Sequence, residues 1–232
     1  MNKWRVKVWD VPTILFHWLL VLLTIAAFVT GFLGGGLIEI HGQFGLAIAG
    51  LLAFRLVWGV IGSTYARFAR FVSGPARVLA YLRGQWHGLG HNPLGAWSVL
   101  GLLTLMLFQV VSGLLSDDNI SFTGPLRVLV SQGTADWLTG LHKLNVWLII
   151  GLVSLHTLSV ILYLVVKKNN LLTPMFTGYK TIDDPTQEPA RGGGWLPFIV
   201  ATLIAVGVVW VANGGLNPAP PPPPPPQAAP AW

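Results

Sequence analysis

Apolar residues run almost unbroken along most of this chain, and polar residues gather in a few short interruptions. Long apolar runs with few charges are what a helix surrounded by lipid requires. Five of them predict five membrane-crossing helices, at about Val11–Leu33, His41–Ile61, Pro93–Leu115, Leu141–Lys168 and Trp195–Val211. Pro12 falls in the first turn of the first run, where a missing N–H costs nothing, and Gly34–Gly36 end it. The fifth run is at the short end of what crosses a bilayer. Beyond Asn213 the pattern stops: Pro218 and the run Pro220–Pro226 predict an extended polyproline rod without a core. The fold class expected is all-α integral membrane. Residues 1–180 form a four-helix transmembrane bundle, 181–194 a cytoplasmic linker, 195–212 a fifth transmembrane helix and 213–232 a periplasmic proline-rich tail.

Composition agrees with that reading. The 232 residues are 53% hydrophobic and 9% charged, outside the soluble globular range. No cysteine is present, which excludes disulfides, thiolate ligands, covalently attached c-type haem and cysteine-held iron–sulfur clusters. The net charge of +6 does not point to nucleic acid, because the basic residues flank the apolar runs, where they set orientation. Lys3, Arg5 and Lys7 precede the first span. Arg67, Arg70, Arg77 and Arg83 separate the second from the third, and Lys167, Lys168, Lys180 and Arg191 follow the fourth. The loop between the third and fourth carries Asp117, Asp118 and Asp136 against Arg127 alone. The positive-inside rule then puts the N-terminus in the cytoplasm and the acidic loop outside. In a Gram-negative cell the protein would lie in the inner membrane with its C-terminus in the periplasm. The first apolar run lacks a small-residue cleavage site and reads as a retained span. The 11 tryptophans suit interfacial belts and the walls of a flat cofactor.

Ionisable residues inside such spans are costly and mark function. Four histidines qualify. His142 and His156 lie 14 residues apart in the fourth run, about four turns, so they share a helix side roughly 21 Å apart along the axis. With the topology above, His41 opens the second span at the level of His142, and His17 in the first span matches the level of His156. Two imidazoles on facing helices at one level are what a bis-histidine b-type haem needs, one neutral nitrogen on each side of the iron. The pairs His41/His142 (outer) and His17/His156 (inner) would make a two-haem wire across the bilayer. Arg55 follows His41 by the same 14-residue offset, so it falls near the inner pair. A lone membrane arginine needs an anion, and two readings stand: an inner haem propionate, or snorkelling to the cytoplasmic face. Gly42, Gly45, Gly113 and Gly151 would let a flat ring or another helix approach closely. His87 and His91, at the mouth of the third span, have a surface or quinone-contact role open to them.

Other chemistries fit less well. Zinc also takes imidazole, but it wants three or four converging ligands, completed by carboxylates or cysteines. A proton-coupled transporter would want Asp or Glu near the span centres, and there is none.

Six segments together carry a family resemblance: VWDVPTILFHW (Val8–Trp18), EIHGQFG (Glu39–Gly45), FRLVWGVIGSTYARF (Phe54–Phe68), GHNPLGAW (Gly90–Trp97), LHKLNVWLIIGLVSLH (Leu141–His156) and NLLTPMFTGYK (Asn170–Lys180). In combination they resemble the bacterial cytochrome b561 family, and within it the branch grouped with the cytochrome b subunit of nickel–iron hydrogenase. The resemblance covers about residues 1–180. It implies a four-helix core with two b haems and ligands at His17, His41, His142 and His156. It also implies electron transfer between membrane quinone and a redox partner across the membrane. Ile14 departs from the pattern, since many relatives place arginine there. The fifth span and the proline tail lie outside it.

Three functional readings follow. The first is a respiratory-chain dihaem cytochrome that oxidises quinol or reduces quinone and exchanges electrons with a periplasmic partner such as a c-type cytochrome. That partner would be steered by the acidic loop and clasped by the proline tail. His91 and Asn92 on the inner side, and Lys143 beside His142 on the outer side, are the quinone-contact candidates. The second is a haem-containing membrane anchor subunit of a hydrogenase or other oxidoreductase. The third, from a different class, is a haem-free transporter or zinc membrane protein.

Overall fold

The computed structural model describes residues 3–86, 88–184 and 186–218; His87 and the proline run Pro220–Pro226 lie outside them. A short strand, β1 (Trp4–Lys7), leads into the first long helix, α1 (Val11–Leu33). Asp10 starts that helix: its Oδ1 accepts the Thr13 N–H at 2.8 Å, satisfying one of the free amides of the first turn. Gly34 ends it at φ 61°, a left-handed conformation that favours glycine. A single 3₁₀ turn leads to α2 (Ile38–Ile61), which begins one turn before His41. Two short helices follow, α3 (Phe68–Phe71) and α4 (Pro75–Leu82). Asn92 caps α5 (Pro93–Leu114), its Oδ1 accepting the Gly95 N–H at 2.7 Å.

The next helix, α6 (Gln132–Val165), starts well before the apolar run that betrays it. Residues 132–140 are mostly polar, so hydropathy leaves them out. They are helical because Ser131 caps the start, Ala135 is fully buried and Thr139 exchanges hydrogen bonds with the Asp117 backbone. A one-and-a-half-turn helix, α7 (Leu172–Thr177), then turns through Gly178 into β2 (Tyr179–Ile182). That strand pairs antiparallel with β1, Trp4 opposite Ile182. The last helix, α8 (Trp195–Trp210), unwinds into a π-type turn over Val211–Gly215.

Among the described residues, five helices are long and apolar enough to cross a membrane: α1, α2 with its 3₁₀ lead, α5, α6 and α8 with its final turn. They alternate in direction. One end of the bundle therefore carries β1, β2, α3, α4 and α7 (the N-terminal end), and the opposite end carries the 115–131 loop (the far end). The second helix is the hub, packing against α1, α5 and α8, while α5 packs against α6. The core is a band of apolar side chains from the first four spans: Phe16, Ala27, Ile48, Leu52, Leu103, Met106 and Ile149. The outward face is just as apolar. Leu15, Leu19, Leu22, Ile25 and Val29 form an exposed stripe down α1 at helical spacing. Such a face has no counterpart on a water-soluble monomer and suits lipid.

Side chains tie the ends. The Trp58 Nε1–H near the end of α2 donates to Asp10 Oδ2 at 3.0 Å, so one carboxylate both caps α1 and anchors α2. The fifth span is fastened at both extremities. Near its start the Thr64 N–H donates to the Arg191 carbonyl at 2.9 Å. Past its end the Asn217 side chain donates to the Pro125 carbonyl at 2.7 Å.

Asp10→Ala removes the helix cap and strands the buried Trp58 N–H. The expected cost is about 2–4 kcal/mol from the two terms together. Thermal unfolding in detergent should show a clearly lowered midpoint, with Asp10→Asn falling between the two; an unchanged midpoint in Asp10→Ala would contradict the role given to this carboxylate.

Candidate functional site

At the far end α2 and α6 bring His41 and His142 together, with ring centroids 6.0 Å apart and planes at 89°. Each ring is held from behind by a helix carbonyl. His41 Nδ1 lies 2.8 Å from the Ala27 oxygen of α1, and His142 Nδ1 lies 2.9 Å from the Gln109 oxygen of α5. A carbonyl can only accept, so Nδ1 carries the proton in both rings and Nε2 keeps its lone pair. Metal-ligating histidines are oriented in this manner. A metal between two imidazoles sits about 2 Å from each nitrogen, which places the ring centres about 6–6.5 Å apart. The residues present therefore fit a bis-histidine iron.

Two glycines make room for the rings. A Cβ on Gly31 would lie 2.9 Å from His41 ring atoms, and one on Gly113 would lie 2.8 Å from His142 Cε1. Gly42 meets the Phe122 ring instead, so the 115–131 loop folds down over the start of α2. Within that loop the Asp118 carboxylate accepts the backbone N–H groups of Phe122, Ile120 and Ser121. Those bonds hold its pKa down to about 2, so the loop stays anionic at any physiological pH.

Toward the N-terminal end lie His17, in the first third of α1, and His156, in the last third of α6. His17 packs edge-on against Trp18 at 5.0 Å, and its buried Nδ1 has no hydrogen-bond partner. Arg55 lies in the same region and is 3% exposed, so its guanidinium does not snorkel. It rests among rings, 4.7 Å from the Phe68 centroid, 5.9 Å from Phe16 and 6.0 Å from Phe71. Its Nη1 has no partner, and the one ion pair among the described residues is Arg127–Asp117 at the far end. A buried cation with unfilled donors calls for an anion.

The quinone-contact candidates separate. His91 sits between Trp9 and Phe71, with ring centroids at 4.7 and 4.6 Å, and its buried Nδ1 is also unpartnered. Burial first, then the positive Arg55, lowers its pKa to about 3, leaving it neutral. Asn92 is engaged as the α5 cap, with Nδ2 donating to the Tyr163 hydroxyl at 3.3 Å. Lys143 is exposed on α6. Three residues escaped the sequence reading: Gln109, Asn145 and Ser112, all around His142. The Gln109 Nε2 is 3.0 Å from His142 Nε2, and its Oε1 accepts the Asn145 Nδ2–H at 2.8 Å. Ser112 Oγ is 3.3 Å from His142 Nδ1. Amides inside apolar runs, one of them three residues after a histidine, were the available signal.

A helical membrane bundle with an imidazole pair at its far end has the layout of a membrane cytochrome of the b type. Residues 8–178 match the family model described as prokaryotic cytochrome b561, and the chain belongs to that family. It is similar to the probable Ni/Fe-hydrogenase 1 B-type cytochrome subunit of Escherichia coli strain K12. Identity is 23% over 213 residues, covering 75% of this chain and 90% of that protein. The protein of the same name from Escherichia coli O157:H7 matches equally. No solved structure matches significantly. The chain is thus a multi-pass membrane protein of a family that binds b-type haem and transfers electrons.

Gly113→Val should push the His142 ring off its carbonyl and lower the Soret absorbance per chain of the purified protein. Gly207→Val on α8, where nothing lies within 4 Å of the added atom, should leave it unchanged. Equal spectra for the two variants would mean that the His142 ring has no part in holding haem.

Proposed function

We propose that this chain moves electrons across the bacterial inner membrane through two b haems, one ligated by His41 and His142 and one by His17 and His156. The observation that carries the reading is the far-end pair: two imidazoles with centroids 6.0 Å apart, each with Nδ1 tied to a helix carbonyl so that Nε2 keeps its lone pair; at His142 a metal would replace the Gln109 NH₂ as the partner of that lone pair. Bound haem supplies a one-electron couple. The chain's own residues supply the rest. Helix carbonyls orient the ligands, apolar spans exclude water, and Arg55 offers its unfilled donors to a propionate of the haem at the N-terminal end. Charge distribution supports a cytoplasmic N-terminal end and a periplasmic far end.

Quinone would exchange electrons at one end, with His91 and Asn92 as the contacts in the cytoplasmic half and Lys143 as the contact in the periplasmic half. At the periplasmic face the carboxylates Asp117, Asp118 and Asp136 would attract a basic redox protein such as a c-type cytochrome. The proline tail, which follows the helix end fastened beside Pro125, would help to hold it. The similarity to a hydrogenase cytochrome subunit favours a second form of the reading, in which the partner is a subunit of an oxidoreductase complex and this chain is its haem-bearing membrane subunit.

His142→Ala should lose one b haem and His17→Ala the other, each retaining about half of the reduced-minus-oxidised signal. Full haem content in both variants would overturn the pairing. Arg55→Leu should keep the haem of the His41/His142 pair and lower the haem content or shift the potential of the other; a spectrum and potentials identical to the unsubstituted protein would remove Arg55 from the site.

A further inference from the structure

Two carboxamides stand beside the far-end histidines and take no part in ligation. Asn145 is one turn along α6 from His142 and 4% exposed, and Gln109 faces it from α5. Their hydrogen bonds set which way each amide points. The Asn145 Nδ2 donates to the Leu105 carbonyl at 3.0 Å and to Gln109 Oε1 at 2.8 Å. The first acceptor is a backbone carbonyl, so that atom must be the nitrogen, and the Gln109 atom facing it must be the oxygen. Gln109 therefore turns its NH₂ the other way. That nitrogen lies 3.0 Å from His142 Nε2 and 3.2 Å from the His142 carbonyl oxygen. The backbone oxygen of the same residue accepts the His142 Nδ1–H at 2.9 Å. One residue thus works on both edges of one imidazole.

We propose that Gln109 is a positioning residue that raises the reduction potential of the haem held by His142, an inference that rests on the ligation proposed above. Ferric iron carries one more positive charge than ferrous iron. The positive end of an amide dipole aimed at the site disfavours the ferric form, and in an apolar interior little screening weakens the effect. Asn145 sets the sign, because it ties down the Gln109 oxygen and keeps the amide from presenting it to the iron. When Nε2 is bound to iron, that tether still directs the NH₂ toward the site. The backbone carbonyl of residue 109 pushes the other way by making the imidazole more electron-rich. A side-chain substitution leaves that carbonyl in place, so it isolates the amide.

The test is a mediated redox titration of the purified full-length protein, followed at the α band, with His142→Ala used to assign which wave belongs to this haem. Gln109→Leu should lower that wave and leave the other where it is. Asn145→Leu should lower the same wave by less, and Gln109→Glu should lower it most, since a carboxylate favours the ferric form. An unmoved or raised wave in Gln109→Leu would overturn the proposal. If Gln109→Leu fails to hold haem, Gln109→Glu decides on the same criterion. Loss of haem in both would make the residue structural and end the tuning role. Failure of the ligation itself reads differently: the unsubstituted protein would show fewer than two waves, or His142→Ala would keep both.

Discussion

An imidazole inside an apolar helix bundle has to find a partner for both of its ring nitrogens, because an unmet polar group there costs about 1–3 kcal/mol. Much of this architecture answers that demand. His41 and His142 each give a hydrogen to a carbonyl of a neighbouring helix, Ala27 of α1 and Gln109 of α5. For those carbonyls to be reached, α1 must lie close against α2 and α5 close against α6. Gly31 and Gly113 permit the approach, since a side chain at either would strike the ring. Four helices therefore meet at one level, and the second nitrogen of each imidazole keeps its lone pair, which at His142 faces the Gln109 NH₂ 3.0 Å away.

The N-terminal end meets the same constraint in another way. There the polar groups do not satisfy one another. Arg55, His17 and His91 all bury nitrogen atoms without partners, among Trp9, Phe16, Phe68 and Phe71. With His91 neutral, the guanidinium is the fixed positive charge of the cluster, and the nearby Asp10 carboxylate already accepts from the Thr13 N–H and the Trp58 Nε1–H. A site of that character would suit a group that brings a negative charge and a metal together, as the haem proposed for this end would with its propionates and iron. The two ends are coupled by the chain itself. One helix carries His41 and Arg55, another His142 and His156, each pair 14 residues apart, so the helical rise alone sets the separation of the two levels.

This explains which features the sequence made legible. The spans were plain because lipid selects for apolar residues all round a helix, and the histidine levels followed from counting along them. The burial of Arg55 needed the fold, because α3 and the N-terminus close over it. The polar first turns of α6 were invisible to hydropathy, and their helicity depends on a cap at Ser131 and on contacts with the far-end loop. The strands β1 and β2 were missed because four-residue strands at a membrane surface leave no periodic signal. Gln109 and Asn145 were missed for a deeper reason. Their meaning lies in a lateral contact between two helices, and the rotation of α5 against α6 is set by packing rather than by any spacing within either segment.

Whether one chain holds two b haems can be measured by a pyridine haemochrome assay on the purified full-length protein, set against an independent protein determination. Two b haems per chain are expected. One haem per chain would dissolve one of the two histidine pairs, and none would overturn the haem ligation proposed for both.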